Sequence, residues 1–407
     1  MELTEKQKCG LTKSNARLNI FHGAVRSGKS VVANIRFLKF LATELKENSD
    51  LLVSGVSLDS IRRNVIEPIR ELVGSDLAYN QYNNKASLWG CKLHCFPASK
   101  SGTEASIQGS EFAGALSDEL TKHNQGFVDM LDTRLSVSGA KWFATCNPAS
   151  PYHYVKRHYI DNYDNIFTQH YSLRDNPYLN QEYIDALLNN YSGVFRKRYI
   201  DGEWVISAGA VYDFFDESYI LKKENIPKAK KYYIGIDYGT QNATVFLLVG
   251  YNPFANPVYW LEKEYYYSGR EEEAQKSPTE FAEDFEVFVS ENVDKKEKIG
   301  AIIYDPSALQ FEVELRNRGY INTLPGDNDI LNGILNVTSL MKNGKYMISE
   351  ECENNIRERY NYMWDEKASE KGQDIPMKVD DHTMDAERYI FQTLFSEGLM
   401  SNMYKYI

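Results

Sequence analysis

Apolar positions in the first 150 residues fall into short runs that alternate with longer, periodic ones. Leu18–His22 is a compact apolar run that predicts a strand. A Gly-rich turn follows it, and Val31–Leu45 then carries apolar residues at helical spacing. Leu51–Ser57 (LLVSGVS) predicts a second buried strand and Ile61–Val73 another amphipathic helix. Lys92–Pro97, Gly114–Ser117 and Lys141–Cys146 (KWFATC) predict further strands, the last ending at Asn147-Pro148. Strand–helix alternation of this kind implies a parallel sheet with helices on both faces.

The pattern then weakens. Residues 152–176 are rich in Tyr, His, Asn and Arg. Glu182–Leu188 and Val194–Ile200 read as helices, and Gly202-Glu203-Trp204 and Gly209 break them. A second pattern starts near residue 231. Tyr232–Asp237 (YYIGID), Ala243–Tyr251 and Val258–Tyr266 predict three consecutive strands with turn residues between them. Thr279–Val289 predicts a helix, and Ile299–Tyr304 a buried strand ended by Asp305-Pro306. Helices are expected over Leu309–Arg318, Ile330–Met341, Glu350–Glu366 and Thr383–Leu394. Three strands, a helix, a strand and more helices is the order of ribonuclease-H-like domains. The expected organisation is a first domain over 1–170, a linker or subdomain over 171–230, and a second domain over 231–407.

Composition narrows the class. With 407 residues, 43% hydrophobic and 25% charged, the chain is ordinary globular protein of two or three domains. The formal net charge of -11 gives no support for a nucleic-acid partner, so DNA would have to be met by a local basic groove. Five scattered cysteines argue against a disulfide framework. Cys91-Lys92-Leu93-His94-Cys95 alternates like a strand and has no second ligand pair nearby, which argues against zinc. The polar N-terminus lacks a signal peptide's apolar core, and no apolar run reaches the ~20 residues that span a bilayer. A reducing cytosolic compartment is expected.

The turn after the first strand carries the chemistry. Gly23-Ala24-Val25-Arg26-Ser27-Gly28-Lys29-Ser30 fits G-x-x-x-x-G-K-[ST] in full. Its glycines let backbone N–H groups close on phosphates, Lys29 reaches the β and γ phosphates, and the Ser30 hydroxyl ligates Mg²⁺. The expected ligand is therefore ATP with Mg²⁺. Gly114-Ala115-Leu116-Ser117-Asp118-Glu119 supplies the acidic partner a P-loop needs at the end of a neighbouring strand. Asp118 would hold the ion and Glu119 would polarise the attacking water. Asn147, ending the next strand, is expected to sense the γ phosphate, although Asn-Pro also reads as a simple turn. Arg26 is either a cationic finger acting in cis or a solvated loop arginine.

A second acidic constellation follows. Asp237 ends the first strand of the later pattern, Asp305 its fourth, and Asp385 lies in a late helix with His382 one turn before it. Carboxylates at adjacent strand ends, met by one from a helix, can hold two Mg²⁺ or Mn²⁺ ions for phosphodiester cleavage. His382 would ligate the second ion or move a proton. Any single Asp is more readily a strand-ending cap or turn residue than a ligand, and the order of the three along the elements is the more specific signal. Glu262 on the third strand is a weaker candidate, since Glu264 and the tyrosines around it suggest a solvated strand.

GAVRSGKS, SDE, TCNP, IGID, YDP and HTMD, in this order and spacing, resemble the large terminase subunit of tailed bacteriophages, in its PBSX-type branch. Asn147-Pro148 with Tyr152-His153, the Gly202-Glu203-Trp204 junction, and Gly326-Asp327-Asn328 before Gly333-Ile334 extend the likeness along nearly the whole chain. The resemblance implies a P-loop ATPase domain with a mainly parallel sheet, followed by a ribonuclease-H-like nuclease domain with a mixed sheet. It implies ATP-driven translocation of duplex DNA into a procapsid through the portal, and cutting of concatemeric DNA. It further implies a ring of copies on the portal, a small terminase subunit as partner, no membrane, and a place in the host cytoplasm, transiently docked and not secreted. Gln7 resembles the glutamine that reads adenine in this group. Gln108 stands where many relatives carry a trans-acting arginine before the glycine matching Gly109, which shifts weight to Arg26. The rival reading is a repair or helicase-type ATPase fused to a resolvase-like nuclease. It lacks further helicase motifs after Asn147. A third, a non-catalytic assembly protein, conflicts with the intact Lys29 and the three Asp positions.

Overall fold

Strand–helix alternation in the first part of the chain resolves into one large sheet. The computed structural model describes residues 2–239, 243–269 and 274–399. Contacts divide the chain into two units. The first comprises Met1–Asn180, Val194–Ile206 and Lys367–Gln373, and the second Gln181–Gly193, Ser207–Glu366 and Asp374–Ile407. The stretch 171–230, expected as a linker or subdomain, forms no body of its own but is shared between the two units.

In the first unit the strands are β1 (Leu18–Gly23), β2 (Asp50–Gly55), β3 (Ala78–Asn80), β4 (Lys85–Leu88), β5 (Cys91–Pro97), β6 (Gly114–Ser117), β7 (Lys141–Cys146) and β8 (Ile166–Tyr171). Their order is β3-β4-β5-β2-β6-β7-β1-β8. Every pairing from β5 to β8 is parallel, and only the β3–β4–β5 edge is antiparallel. Two apolar clusters cover the faces. One gathers Phe21, Phe37, Phe40, Leu93 and Phe143, the other Ile20, Leu52, Phe127 and Trp142. β8 is not legible as an apolar run because it is an edge strand whose residues Thr168, Gln169 and His170 are polar. The Cys91/Cys95 pair faces the core while His94, on the opposite face of β5, meets Asp50 at 2.6 Å, so the CKLHC run is a strand and not a metal site.

In the second unit β9 (Ile220–Leu221), β10 (Lys231–Asp237), β11 (Ala243–Tyr251), β12 (Tyr259–Ser268), β13 (Ile299–Tyr304), β14 (Thr323–Pro325) and β15 (Tyr346–Ser349) form a mixed sheet. Its order is β14-β13-β10-β11-β12-β15-β9. β10 runs antiparallel to β11 and parallel to β13, so their C-terminal ends, carrying Asp237 and Asp305, are neighbours. The helix His382–Ser396 lies across β10. Gly235 permits this approach, because a side chain there would run into the Ala386 carbonyl and Ile390. The helix expected over 350–366 is instead broken after Glu353–Asn361. Tyr362 to Trp364 run extended, with the Val211 N–H donating to the Tyr362 carbonyl at 2.8 Å. No helix among the described residues is long and apolar enough to cross a membrane.

One buried pair anchors this unit. Arg359 and Glu387 form an ion pair with both side chains 0% exposed, and the Tyr346 hydroxyl also donates to Glu387. Removing one partner leaves an uncompensated buried charge, which costs about 3–5 kcal/mol. Glu387→Ala is therefore expected to lower unfolding stability by that amount in a urea titration. A loss below ~1 kcal/mol, the scale of an exposed pair, would show that water reaches Arg359.

Candidate ATPase and nuclease sites

The P-loop joins β1 to the helix Lys29–Glu44. Gly23 (φ 137°) sits where any side chain would strike the Tyr171 carbonyl of β8, so the turn can close only without one. The helix starts on Gly28, whose φ of 86° lets consecutive backbone N–H groups turn inward. Ala24 and Val25 spend their N–H groups on the Tyr171 and Tyr199 carbonyls, at 2.7 and 2.9 Å, which pins the outer arm of the loop. Ser27 donates to the Ala24 carbonyl at 2.8 Å, and Ser30 lies in the first turn of the helix.

Lys29 is only 8% exposed. Its ammonium donates to the Ala24 carbonyl at 2.9 Å and to Asn147 Oδ1 at 2.7 Å. Burial pulls its pKa down to about 8, with Cys146, Asp118 and Glu119 opposing. A buried ammonium held by neutral oxygens gains from an arriving anion. The lysine and Asn147 are thus in direct contact.

Asp118 and Glu119 follow β6, which is separated from β1 by β7 and is not the immediate neighbour of β1 that the sequence pattern suggests. Asp118 is 6% exposed and is held through both oxygens: Thr145 Oγ1 donates to Oδ1 at 2.7 Å and Asn64 Nδ2 to Oδ2 at 2.9 Å. The polar character of β6 also has a cause. All four of its residues are buried, and the Ser117 hydroxyl is bonded by Ser54 at 2.8 Å and by Trp142 Nε1 at 2.9 Å. Glu119 adopts a left-handed φ of 57°, unusual for a non-glycine, and its carboxylate meets Lys122 at 3.3 Å.

Sequence pattern singles out neither Asn64 nor Thr145. Asn64 lies in a π-helical stretch, Arg62–Ile66, inside the helical run from Leu58. Pro68 has no N–H for the Asn64 carbonyl, which accepts from Asn34 Nδ2 at 3.5 Å. That proline is the available signal, since π turns recur at functional sites.

Arg26 is exposed in the loop at φ 55°, and its carbonyl accepts from Asn176 Nδ2 at 2.7 Å. Gln108 is exposed after the short helix Thr103–Ile107. Gln7 is 5% exposed and caps its own helix: its Oε1 accepts the Thr4 N–H at 2.9 Å, and its Nε2 donates to the Gly28 carbonyl at 3.4 Å. It therefore borders the P-loop.

In the second unit Asp237 Oδ2 meets His382 Nδ1 at 2.8 Å. Burial pushes the Asp237 carboxyl up to about 6, with the charges of Asp385 and Asp305 adding to the rise and His382 opposing it. Burial draws His382 down, but the hydrogen bond and charge of Asp237, joined by the charges of Glu358 and Asp381, together outweigh it, so the imidazole stays above its ordinary value. Asp385, 8% exposed, accepts from Lys378 Nζ at 2.7 Å and from Arg388 at 2.9 Å. Asp305 is half-buried, and its Oδ1 accepts the Ser307 N–H at 2.8 Å. Glu262 accepts from Trp260 Nε1 at 2.8 Å, and Glu264 accepts the N–H groups of Asn354 and Asn355, so both are occupied structurally.

Self-repelling, buried carboxylates fit a divalent cation by chemistry, since hard oxygen donors are what Mg²⁺ and Mn²⁺ take. Among the described residues, however, no three His, Cys, Asp or Glu side chains already stand in metal-holding geometry. Lys378 and Arg388 supply positive charge to Asp385 instead.

Comparisons with known proteins converge. The family model for the N-terminal part of the T4likevirus-type terminase large subunit matches residues 20–219. The large terminase subunit of Escherichia phage T5 is 23% identical over 241 residues, 56% of this chain and 52% of that one, so the match spans about half the length of this curated relative. The solved large terminase of a thermophilic bacteriophage is 32% identical and covers 97% of this chain and 100% of its own, with a TM-score of 0.87. The same thermophilic phage protein solved with ADP is 33% identical over the same shares, with a TM-score of 0.86, and with ATP-γ-S the TM-score is 0.84.

Proposed function

Because the chain belongs to the large terminase subunits of tailed bacteriophages, enzymes that join an ATPase to a nuclease, we propose that it is the motor of phage DNA packaging. ATP hydrolysis in the first unit drives duplex DNA into the procapsid, and the second unit cuts concatemeric DNA. The observation that carries this reading is the presence, in one chain, of a P-loop lysine bonded to Asn147 and of the buried Asp237–His382 pair. The portal, a small terminase subunit and further copies of this chain in a ring are the proposed partners. The proposed place of work is the host cytoplasm, docked for a time on the portal.

In the ATPase site Lys29 would meet the β and γ phosphates, and Ser30 and Asp118 would hold Mg²⁺. Gly23, Ser27 and Gly28 shape the phosphate cradle, and Gln7 reads the base. Mg²⁺ supplies charge neutralisation at the phosphates when bound. Glu119 orients the attacking water once it leaves Lys122, and Arg26 provides positive charge to the γ phosphate in cis. Loss of that phosphate frees Lys29 to return to Asn147, so the Lys29–Asn147 contact reports the nucleotide state to β7. The thermophilic phage terminase, 33% identical, was solved with ADP and with ATP-γ-S, which supports the nucleotide assignment here.

In the nuclease site Asp237, Asp305 and Asp385 would hold two Mg²⁺ or Mn²⁺ ions. The bound ions would stabilise the attacking and leaving oxygens of a phosphodiester. His382 orients Asp237 and takes up or delivers a proton beside it. Lys378 has to exchange partners for Asp385 to ligate an ion.

The test is DNA uptake. Linear duplex DNA mixed with this chain, procapsids and ATP is expected to become resistant to added nuclease, and to stay sensitive without ATP. Separation of a forked duplex with no protected DNA would instead favour the helicase–resolvase reading.

A further inference from the structure

The helix that carries His382 and Asp385 begins without a cap of its own. Its N-terminal neighbour Asp381 makes no capping hydrogen bond from its side chain. The first free N–H groups of a helix need an acceptor, and a buried start without one is destabilising. Here the acceptor comes from another helix. Glu358, in Glu353–Asn361, is 0% exposed, and one of its oxygens, Oε2, accepts both the Thr383 N–H at 2.7 Å and the Thr383 hydroxyl at 2.6 Å. The other polar groups facing Glu358 are His382 itself and Tyr266 of β12.

We propose that Glu358 is a positioning residue of the nuclease site: by capping the helix at Thr383 it fixes the first turn so that His382 meets Asp237 and Asp385 faces the same strand ends. The inference rests on the nuclease reading of those side chains. Three features support it. The capped residue is the immediate neighbour of His382, so a slip of this turn moves His382 away from a contact only 2.8 Å long. Both hydrogen bonds converge on one oxygen, which fixes rotation of the turn as well as its position along the axis. A serine, threonine or asparagine next to the helix would cap it locally. A buried carboxylate reaching across from a second helix instead ties the turn to the rest of the unit. Groups that hold ligating side chains in this way typically change metal affinity about 10–100-fold when lost.

Four substitutions, each in the whole 407-residue chain, test this. Hydrogen exchange over residues 381–386 reads the cap, and Mn²⁺ titration followed by electron paramagnetic resonance, without DNA, reads the site. Glu358→Ala is expected to speed exchange in that segment and to weaken Mn²⁺ binding about tenfold, with ATPase activity unchanged. Glu358→Gln keeps an oxygen in the same place and is expected to restore both readouts to near wild type. Thr383→Val removes one of the two donors and should shift both in the same direction by less, which keeps the proposal testable if Glu358→Ala does not fold. Wild-type exchange in Glu358→Ala, or equal impairment in Glu358→Gln, overturns the capping role, as does wild-type behaviour of Thr383→Val on both readouts. Mn²⁺ binding that survives in Asp237→Ala would overturn the metal reading separately, while the exchange data still decide whether Glu358 holds the turn.

Discussion

A Lys29→Ala chain is expected to lose ATP hydrolysis by at least ~100-fold while keeping its fold and its cutting of plasmid DNA. The size of the effect follows from where the ammonium sits. Lys29 is buried and donates to two neutral oxygens, the Ala24 carbonyl and Asn147 Oδ1. Burial has already drawn its pKa to about 8, so the charged form lacks the anion that would stabilise it. A triphosphate provides that anion, and the charge that develops on the γ phosphate during transfer strengthens the contact further. The fold should tolerate the change. Alanine leaves two acceptors unpaired, at roughly 1 kcal/mol each, but it also removes the desolvation cost of a buried charge. Steady-state phosphate release, a melting curve and a plasmid assay on the same preparation check all three points. Normal turnover would remove Lys29 from the assignment.

Much of this site was legible because a P-loop is written locally. Its glycines, lysine and serine lie within eight residues, and the flanking strand and helix read directly from period. The strand bounds of β7, β11 and β13 were also legible, since buried strands are apolar runs with sharp ends. What a linear reading missed comes from distant residues. Asn64 grips Asp118 from another segment, and no spacing in the sequence links positions 54 residues apart. Thr145 lay inside a recognised motif, yet its bond to Asp118 follows only from β6 and β7 being neighbours. The two-residue β9 and three-residue β14 are too short to show a period. The helix expected over 350–366 failed for a tertiary reason. Its apolar residues Tyr362 and Trp364 are both buried, at the two-residue spacing of an extended segment, and their backbone pairs with residues 209–211 and 376. In the second unit, order along the chain placed Asp237 and Asp305 at neighbouring strand ends, because β10 and β13 run parallel side by side, and His382 meets Asp237. The partners of Asp385 were not legible. Lys378 comes from an irregular segment, and Arg388 fits only because Gly333 leaves room for it.

That difference in partners decides which carboxylate to remove. Asp237→Ala is expected to abolish Mn²⁺-dependent plasmid cutting, by at least ~100-fold, and to leave ATP hydrolysis at the wild-type rate. Asp237 ends β10, an interior strand of its sheet, and its carboxyl is pushed up to about 6 by burial and by the neighbouring Asp385 and Asp305 charges. Deleting it relieves that repulsion and costs one hydrogen bond to His382, so the melting temperature should change little. Asp385→Ala would be a poorer experiment. It would leave Arg388, 1% exposed, without its carboxylate, and an unpaired buried guanidinium costs about 3–5 kcal/mol. Lost cutting in that variant could then reflect a loosened helix and not a lost ligand. Asp237→Ala separates the two causes, because ligand loss persists at every Mn²⁺ concentration while stability is retained. If the same substitution also stopped ATP hydrolysis, two independent sites in one chain would no longer describe this molecule.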